Sequence, residues 1–151
     1  MRCRIREDYN AGESILKVGF TCSSFHLLHT GHILMLKECR SNCDYLVVGL
    51  QTDPTIDRES KNRPIQSIFE RYVQLDAIDC IDKICIYETE DDLIQLINYI
   101  NPDIRFIGED WHGKEFTGWK QAKLKQYDVY YNKRYGYSTT ELRQRVKGDC
   151  Q

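Results

Sequence analysis

Ile15-Leu16-Lys17-Val18-Gly19-Phe20-Thr21 and Asp44-Tyr45-Leu46-Val47-Val48-Gly49-Leu50 are short runs of strand-forming residues, and the segment between them decides the fold. Residues 31–40 in that interval carry Ile33, Leu34, Leu36 and Cys39 at helical spacing. Strand, helix and strand in that order predict a right-handed βαβ crossover, and so two parallel strands. The second run is apolar nearly throughout, as a strand covered on both faces should be.

The alternation continues outward. A polar loop over 52–64 precedes a helix over 67–77, with Ile68, Tyr72, Leu75 and Ile78 on one stripe. Lys83-Ile84-Cys85-Ile86-Tyr87 is the third strand, and 91–100 an amphipathic helix stopped by Asn101-Pro102. Ile104-Arg105-Phe106-Ile107-Gly108 is the fourth strand, followed by a helix from 118 to about 125. Val129-Tyr130-Tyr131 is the fifth strand and 139–146 the last helix. The expectation is a single α/β domain over residues 15–147, with a polar leader at 1–14 and a tail at 148–151. Its architecture would be doubly wound and Rossmann-like, a five-stranded parallel sheet in the order 3-2-1-4-5 with helices on both faces. Ligands of such sheets bind beyond the carboxyl ends of the strands at the switch point, which directs attention to the segments after strands one, two, four and five.

The composition narrows the function. The 151 residues hold 21 Lys and Arg against 23 Asp and Glu, a formal charge of −2, which argues against a whole-surface nucleic-acid binder. The longest apolar run, Leu46-Val47-Val48-Gly49-Leu50, falls far short of the roughly 20 residues of a membrane span. Met1-Arg2-Cys3-Arg4-Ile5-Arg6-Glu7 lacks the apolar stretch of a secretion signal, so a cytoplasmic protein is expected. Seven scattered cysteines without Cys-x-x-Cys or zinc spacing read as reduced, buried side chains. The charge is segregated: residues 120–147 carry eight basic and two acidic side chains, whereas 79–110 carry nine acidic and two basic. A small anionic ligand near the last strand and helix suits that distribution.

After strand one, Ser23-Ser24-Phe25-His26-Leu27-Leu28-His29-Thr30-Gly31-His32 holds three of the four histidines. The pair His29-x-Gly31-His32 enters a helix, where imidazoles, free backbone N–H groups and the positive helix end suit a triphosphate, and Gly31 allows close backbone approach. After strand two come Gln51-Thr52-Asp53, then Lys61-Asn62-Arg63-Pro64 and Glu70-Arg71, a cationic loop able to close over phosphates. Gly108-Glu109-Asp110-Trp111 follows strand four, with a carboxylate able to accept from the amino group of cytosine or adenine. Asn132-Lys133-Arg134-Tyr135-Gly136-Tyr137-Ser138-Thr139-Thr140-Glu141 follows strand five, where Ser138-x-x-Glu141 is a capping box and Arg134 adds a cation at a helix start.

These motifs, in this order, resemble the nucleotidyltransferase superfamily with the His-x-Gly-His motif, specifically small cytidylyltransferases of the glycerol-3-phosphate cytidylyltransferase kind. The family's Gly-Thr-Phe-Asp-Leu-Leu-His-x-Gly-His matches at Phe25, Leu27, Leu28, His29, Gly31 and His32, with Ser23 and Ser24 for its Gly-Thr and His26 for its aspartate. The resemblance implies catalytic roles for His29, His32, Lys61 and Arg134. It implies nucleotide contacts from Ser24, Phe25, Gly31, Arg63, Arg71, Gly108, Asp110, Trp111, Ser138 and Thr139. It implies transfer of CMP from CTP to a small phosphorylated alcohol or polyol, Mg²⁺ held mainly by nucleotide phosphates rather than by protein ligands, and a homodimer without nucleic-acid or membrane partners. Glu88-Thr89-Glu90-Asp91-Asp92 is acidic where the glycerol-3-phosphate enzymes can carry lysines, which widens the acceptor to other polyols, sugars or amino-alcohols. The alternatives are an adenylyltransferase using ATP on a phosphorylated sugar, a nucleotide-binding homologue impaired by His26, and a nucleotide or flavin module without transferase activity.

Overall fold

The computed structural model describes residues 16–124 and 126–149. Its strands are β1 (Val18–Ser23), β2 (Tyr45–Gln51), β3 (Lys83–Tyr87), β4 (Ile104–Gly108) and β5 (Asp128–Asn132). Its helices are α1 (Thr30–Ser41), α2 (Ile68–Asp76), α3 (Glu90–Ile100), α4 (Trp119–Lys123) and α5 (Thr139–Asp149). All strand pairings are parallel and the order is β3-β2-β1-β4-β5, as the alternation predicts.

The two-residue period of the strands divides the core. Val18, Phe20 and Val47 face Leu93, Ile97 and Ile100 of α3, while Leu46, Val48 and Leu50 join Leu36 and Cys39 of α1 and Leu75 of α2. Each large aliphatic side chain so buried contributes about 1.5–3 kcal/mol. The helix α3 is bounded by reciprocal bonds between Thr89 and Asp92 at its start, and by Asn101 in the left-handed region (φ 47°) before Pro102.

Differences from the expected bounds have local causes. The first strand begins at Val18 and runs to Ser23, because Thr21, Cys22 and Ser23 pair with Val48, Gly49 and Leu50 despite their weak strand character. A short 3₁₀ turn, Glu109–Trp111, directly follows β4. The segment after 118 is helical only to Lys123, and Lys125 lies outside the described residues, as do the leader at 1–14, Ile15 and the tail residues 150–151. Gly148 and Asp149 continue α5. Among the described residues no helix is long and apolar enough to cross a membrane.

Candidate active site

At the carboxyl ends of the strands lies a cleft of about 790 Å³, on the side of the sheet where the order reverses around β1. His32, Ser24, Lys61, Gly108, Trp111 and Arg134 all line it, so segments after β1, β2, β4 and β5 meet there. The other expected residues, His29, Phe25, Gly31, Arg63, Arg71, Asp110, Ser138 and Thr139, do not line it.

The two motif histidines are locked together at the start of α1. The Nδ1 atom of His29 accepts the Gly31 N–H at 3.1 Å, and the Nδ1 atom of His32 accepts the His29 N–H at 3.3 Å. The expected free N–H groups at these positions are therefore occupied by the imidazoles themselves. Accepting at Nδ1 leaves the proton of each neutral ring on Nε2. The rings lie 4.0 Å apart, centre to centre. Burial lowers both basicities: the His32 imidazole is pushed down to about 4, with His29 and His26 adding to it, and His29 is lowered by burial against a raising effect of Glu141. Near neutral pH, His32 is an uncharged N–H donor on the cleft wall.

Gly31 has a steric reason. A Cβ there would meet the Tyr137 carbonyl oxygen at 2.9 Å and His29 Cε1 at 2.9 Å, so the segment after β5 packs on the histidine turn only because this residue lacks a side chain. At Gly108 a Cβ would come within 2.5 Å only of Asp110 Oδ1, the movable end of a side chain, so the constraint there is weaker. The turn around Phe25 is strained, with φ of 45° at Phe25 and 49° at Leu27. Phe25 is buried, and its ring packs 5.5 Å from that of His32.

The cationic loop separates two candidates. Lys61 lines the cleft, whereas the Arg63 side chain is 85% exposed and pairs with Asp53 at 3.4 Å. Arg71, expected at the nucleotide, is 2% exposed and wholly engaged with backbone. It donates to the carbonyls of Ser24 (2.8 Å), Gln51 (2.7 Å) and Thr52 (2.6 Å), and through Nε to Gln66 and Ser67. A guanidinium with four of its five N–H donors so used ties the post-β1 and post-β2 segments to α2.

After β5, the Arg134 N–H donates to Glu109 at 2.8 Å and its guanidinium lies 3.9 Å from Asp110. The Ser138 hydroxyl caps α5, accepting the Glu141 N–H at 3.1 Å, and the Thr139 hydroxyl donates to the His26 carbonyl at 3.3 Å. Glu38 of α1 accepts from the Tyr130 and Tyr135 hydroxyls at 3.1 and 2.8 Å, fixing this segment from the other side.

The motifs did not point to the cleft half on the α3 side. There Arg105, 4% exposed, donates to the Thr117 carbonyl and the Tyr127 hydroxyl, and its guanidinium stacks 5.1 Å from the Phe116 ring. Among the described residues no carboxylate ion-pairs with it, and its Nε has no partner. Arg58 pairs with Glu90, which also accepts from the Thr117 hydroxyl. Two sequence signals belong to this half: Glu90 in the acidic segment 88–92, and a lone cation inside the apolar run Ile104-Arg105-Phe106-Ile107. Among the described residues no group of three or more His, Cys, Asp or Glu is placed to hold a metal ion.

Known proteins share both the sequence and the fold. The chain is 34% identical over 138 residues to the bifunctional protein HldE of Helicobacter pylori strain Shi470, covering 89% of this chain and 28% of that protein. It is likewise 34% identical over 138 residues to the HldE of Nitrobacter winogradskyi, covering 90% of this chain and 28% of that one. The chain thus spans about 28% of the length of these relatives. The crystal structure of the lipopolysaccharide core biosynthesis protein from Thermoplasma volcanium superposes with a TM-score of 0.64 at 25% identity, covering 82% of this chain and 100% of that one. Pantothenate synthetase from Thermus thermophilus, at 11% identity and a TM-score of 0.57, covers 88% of this chain and 60% of that one, and shares the fold. A family model described as cytidylyltransferase-like matches residues 20–145. With the strand order, the paired histidines and the ordered loops already described, this match establishes that the chain belongs to the cytidylyltransferase-like family.

Proposed function

We propose that the chain is a nucleotidyltransferase that moves a nucleoside monophosphate from a nucleoside triphosphate to a small phosphorylated sugar or polyol. An oxygen of the acceptor phosphate attacks the α-phosphorus in line. The bond from the α-phosphorus to the bridging oxygen breaks, pyrophosphate leaves, and the product carries a new diphosphate linkage. The single observation that supports this most is one cleft lined by His32, Lys61 and Arg134 at the switch point of a parallel sheet.

The chemistry asks for positioning and charge stabilisation rather than a covalent intermediate. In this reading His32 donates from Nε2 to oxygens of the reacting phosphates, and His29 holds the His32 ring through its N–H and by stacking. Lys61 and Arg134 neutralise triphosphate charge, and the capped start of α5 with Ser138 and Thr139 backs the same end. Mg²⁺ would arrive on the phosphate oxygens of the nucleotide, which suits a chain whose described residues form no metal cage. It would supply charge neutralisation there.

The acceptor fits the α3 half of the cleft. Glu90, Arg58, Thr117 and the buried Arg105 offer a carboxylate, hydroxyl and guanidinium groups, a combination suited to sugar hydroxyls, with the Phe116 ring beside them. The lipopolysaccharide core is an oligosaccharide, so the Thermoplasma neighbour supports a sugar acceptor. ATP, the donor of the alternative adenylyltransferase reading on a phosphorylated sugar, is the one most consistent with such an acceptor. CTP is the second reading, favoured by the description of the family model. The proposal extends to a homodimer in the cytoplasm, for which sedimentation velocity and cell fractionation are the checks.

The test is pyrophosphate release with Mg²⁺, crossing ATP and CTP with hexose 1-phosphates, glycerol 3-phosphate and phosphocholine. Release that depends on a sugar phosphate supports the reading. Nucleotide binding without release on any acceptor would favour a catalytically silent homologue instead.

A further inference from the structure

His26 lies in the turn between β1 and α1, three residues before His29. It is 9% exposed and touches two separate segments. Its Nε2 accepts the Ile65 N–H at 3.0 Å, at the end of the loop that bears Lys61. Its carbonyl accepts the Thr139 hydroxyl at 3.3 Å, and its Nδ1 lies 3.3 Å from Nη2 of Arg143, both on α5. One residue on, the Leu27 N–H donates to the Gln66 side chain at 2.8 Å, a second stitch to the same loop end. Phe25 and Leu27 hold positive φ on either side, a strained conformation that the surroundings must impose.

We propose that His26 is a positioning residue that clamps the Lys61-bearing loop and the start of α5 onto the turn before α1, and that it clamps only as the uncharged imidazole. The inference rests on the nucleotidyltransferase reading for its effect on turnover, but the clamp itself can be read without turnover.

The protonation requirement follows from the contacts. A neutral ring accepting at Nε2 carries its proton on Nδ1, so the 3.3 Å approach of Arg143 Nη2 is donor to donor, and the bond to α5 is the one that the His26 carbonyl accepts from Thr139. A second proton would have to enter at Nε2, the atom that receives the Ile65 N–H, and would turn an acceptor into a donor facing a donor. The charge would also face Arg143 from α5 and Arg71 from α2, with the imidazole of His32 nearby on α1. Burial and both guanidinium groups accordingly hold the His26 imidazole below its usual basicity. Among the described residues no carboxylate bonds to it to offset them.

A loop released at Ile65 would leave Lys61 on a longer, freer segment, so the nucleotide would have to order it on binding. Affinity for the donor should therefore fall while the chemical step, once assembled, changes little. Two variants separate the acceptor atom from the ring. His26→Gln keeps an uncharged acceptor that cannot titrate, and His26→Phe keeps a ring without one.

The experiment measures donor KM and kcat from pH 5 to 8, together with the ¹H–¹⁵N signal of the Ile65 amide. For His26→Phe the expected result is a donor KM raised at least tenfold, kcat within threefold, and an Ile65 amide shifted toward its solvent-exposed position. His26→Gln should recover donor KM to within threefold and flatten its rise at low pH. In the unsubstituted protein the Ile65 amide should move together with the His26 ring protons as pH falls. Donor KM within twofold for His26→Phe, or an Ile65 amide indifferent to His26 titration, overturns the proposal. If His26→Phe does not fold, the pH titration of the unsubstituted protein and His26→Gln decide alone. If no donor is turned over at all, the functional reading fails, and the Ile65 amide still tests the clamp.

Discussion

The carbonyl oxygen of Tyr137 lies 2.9 Å from where a Cβ on Gly31 would stand, so the segment after the last strand rests directly on the histidine turn after the first. Two ends of the chain, more than a hundred residues apart, build one wall in this way. The contact gives the glycine between the histidines a steric purpose in addition to any approach of phosphate to backbone.

Gly31→Ala tests that contact. Alanine gains about 1 kcal/mol of helix propensity over glycine, but insertion against a carbonyl and the His29 ring costs typically about 1–3 kcal/mol. Overpacking should win narrowly, with the unfolding midpoint slightly lowered. Donor affinity should fall much more, about tenfold or beyond, because either the His29 ring or the Tyr137 segment must move. Calorimetric titration with the magnesium complex of ATP or CTP, beside thermal unfolding, measures both; an unchanged affinity would refute the contact's importance.

His32 predicts a pH dependence of stability. Its folded-state value of about 4 lies below the ordinary 6.5, so between these limits the unfolded chain binds a proton that the folded chain refuses. Stability contributed by the neutral ring is therefore complete above pH 6.5 and is lost as pH falls toward about 4, by an amount on the order of 3 kcal/mol. Urea titrations across pH 4–7 should show a shallower slope for His32→Gln than for the unsubstituted chain. Parallel slopes would contradict the buried, uncharged histidine.

Arg71 should behave as a structural residue. Replacing it with Met leaves the carbonyls of Ser24, Gln51 and Thr52 without their shared donor, at a cost of about 3–5 kcal/mol. Denaturant unfolding would show the midpoint lowered at constant slope. If Arg71→Met were as stable as the parent but bound nucleotide poorly, the side chain would instead belong to the ligand.

The cationic loop makes a paired prediction. Lys61→Ala should lower kcat/KM for the donor by about 10²–10³-fold, the scale of a lost charge at a reacting phosphate. Arg63→Ala, which removes an exposed pair with Asp53, should stay within about threefold. Steady-state kinetics on both variants would detect a reversal of this order.

What was legible in the sequence, and what was not, divides along physical lines. Lys83–Tyr87 and Ile104–Gly108 were read to the residue because polar segments bound each compact apolar run. The end of β1 falls two residues beyond the expected Thr21 because Cys22 and Ser23 owe their strand geometry to pairing with Gly49 and Leu50, which no local pattern reports. Residues from the segments after β1, β2, β4 and β5 meet at one cleft, since strand ends in a doubly wound sheet converge by topology. Side-chain direction was not legible: Lys61 and Arg63 are two residues apart on one loop, and only the Asp53 pair and the cleft wall tell them apart. Arg71 lies beside a core stripe that periodicity found, but its partners come from three separate segments. Arg105 showed only as a charge out of place in a strand, because its partner carbonyl at Thr117 is set by a distant turn.

The central claim is that attack falls on the α-phosphorus of the donor. Incubating the protein and Mg²⁺ with hexose 1-phosphate and either α-labelled or γ-labelled nucleoside triphosphate locates the bond that breaks. The account predicts that the α-label appears in a nucleotide sugar while the γ-label appears wholly in pyrophosphate. Transfer of the γ-label to the acceptor, or its release as inorganic phosphate without a nucleotide sugar, would contradict it.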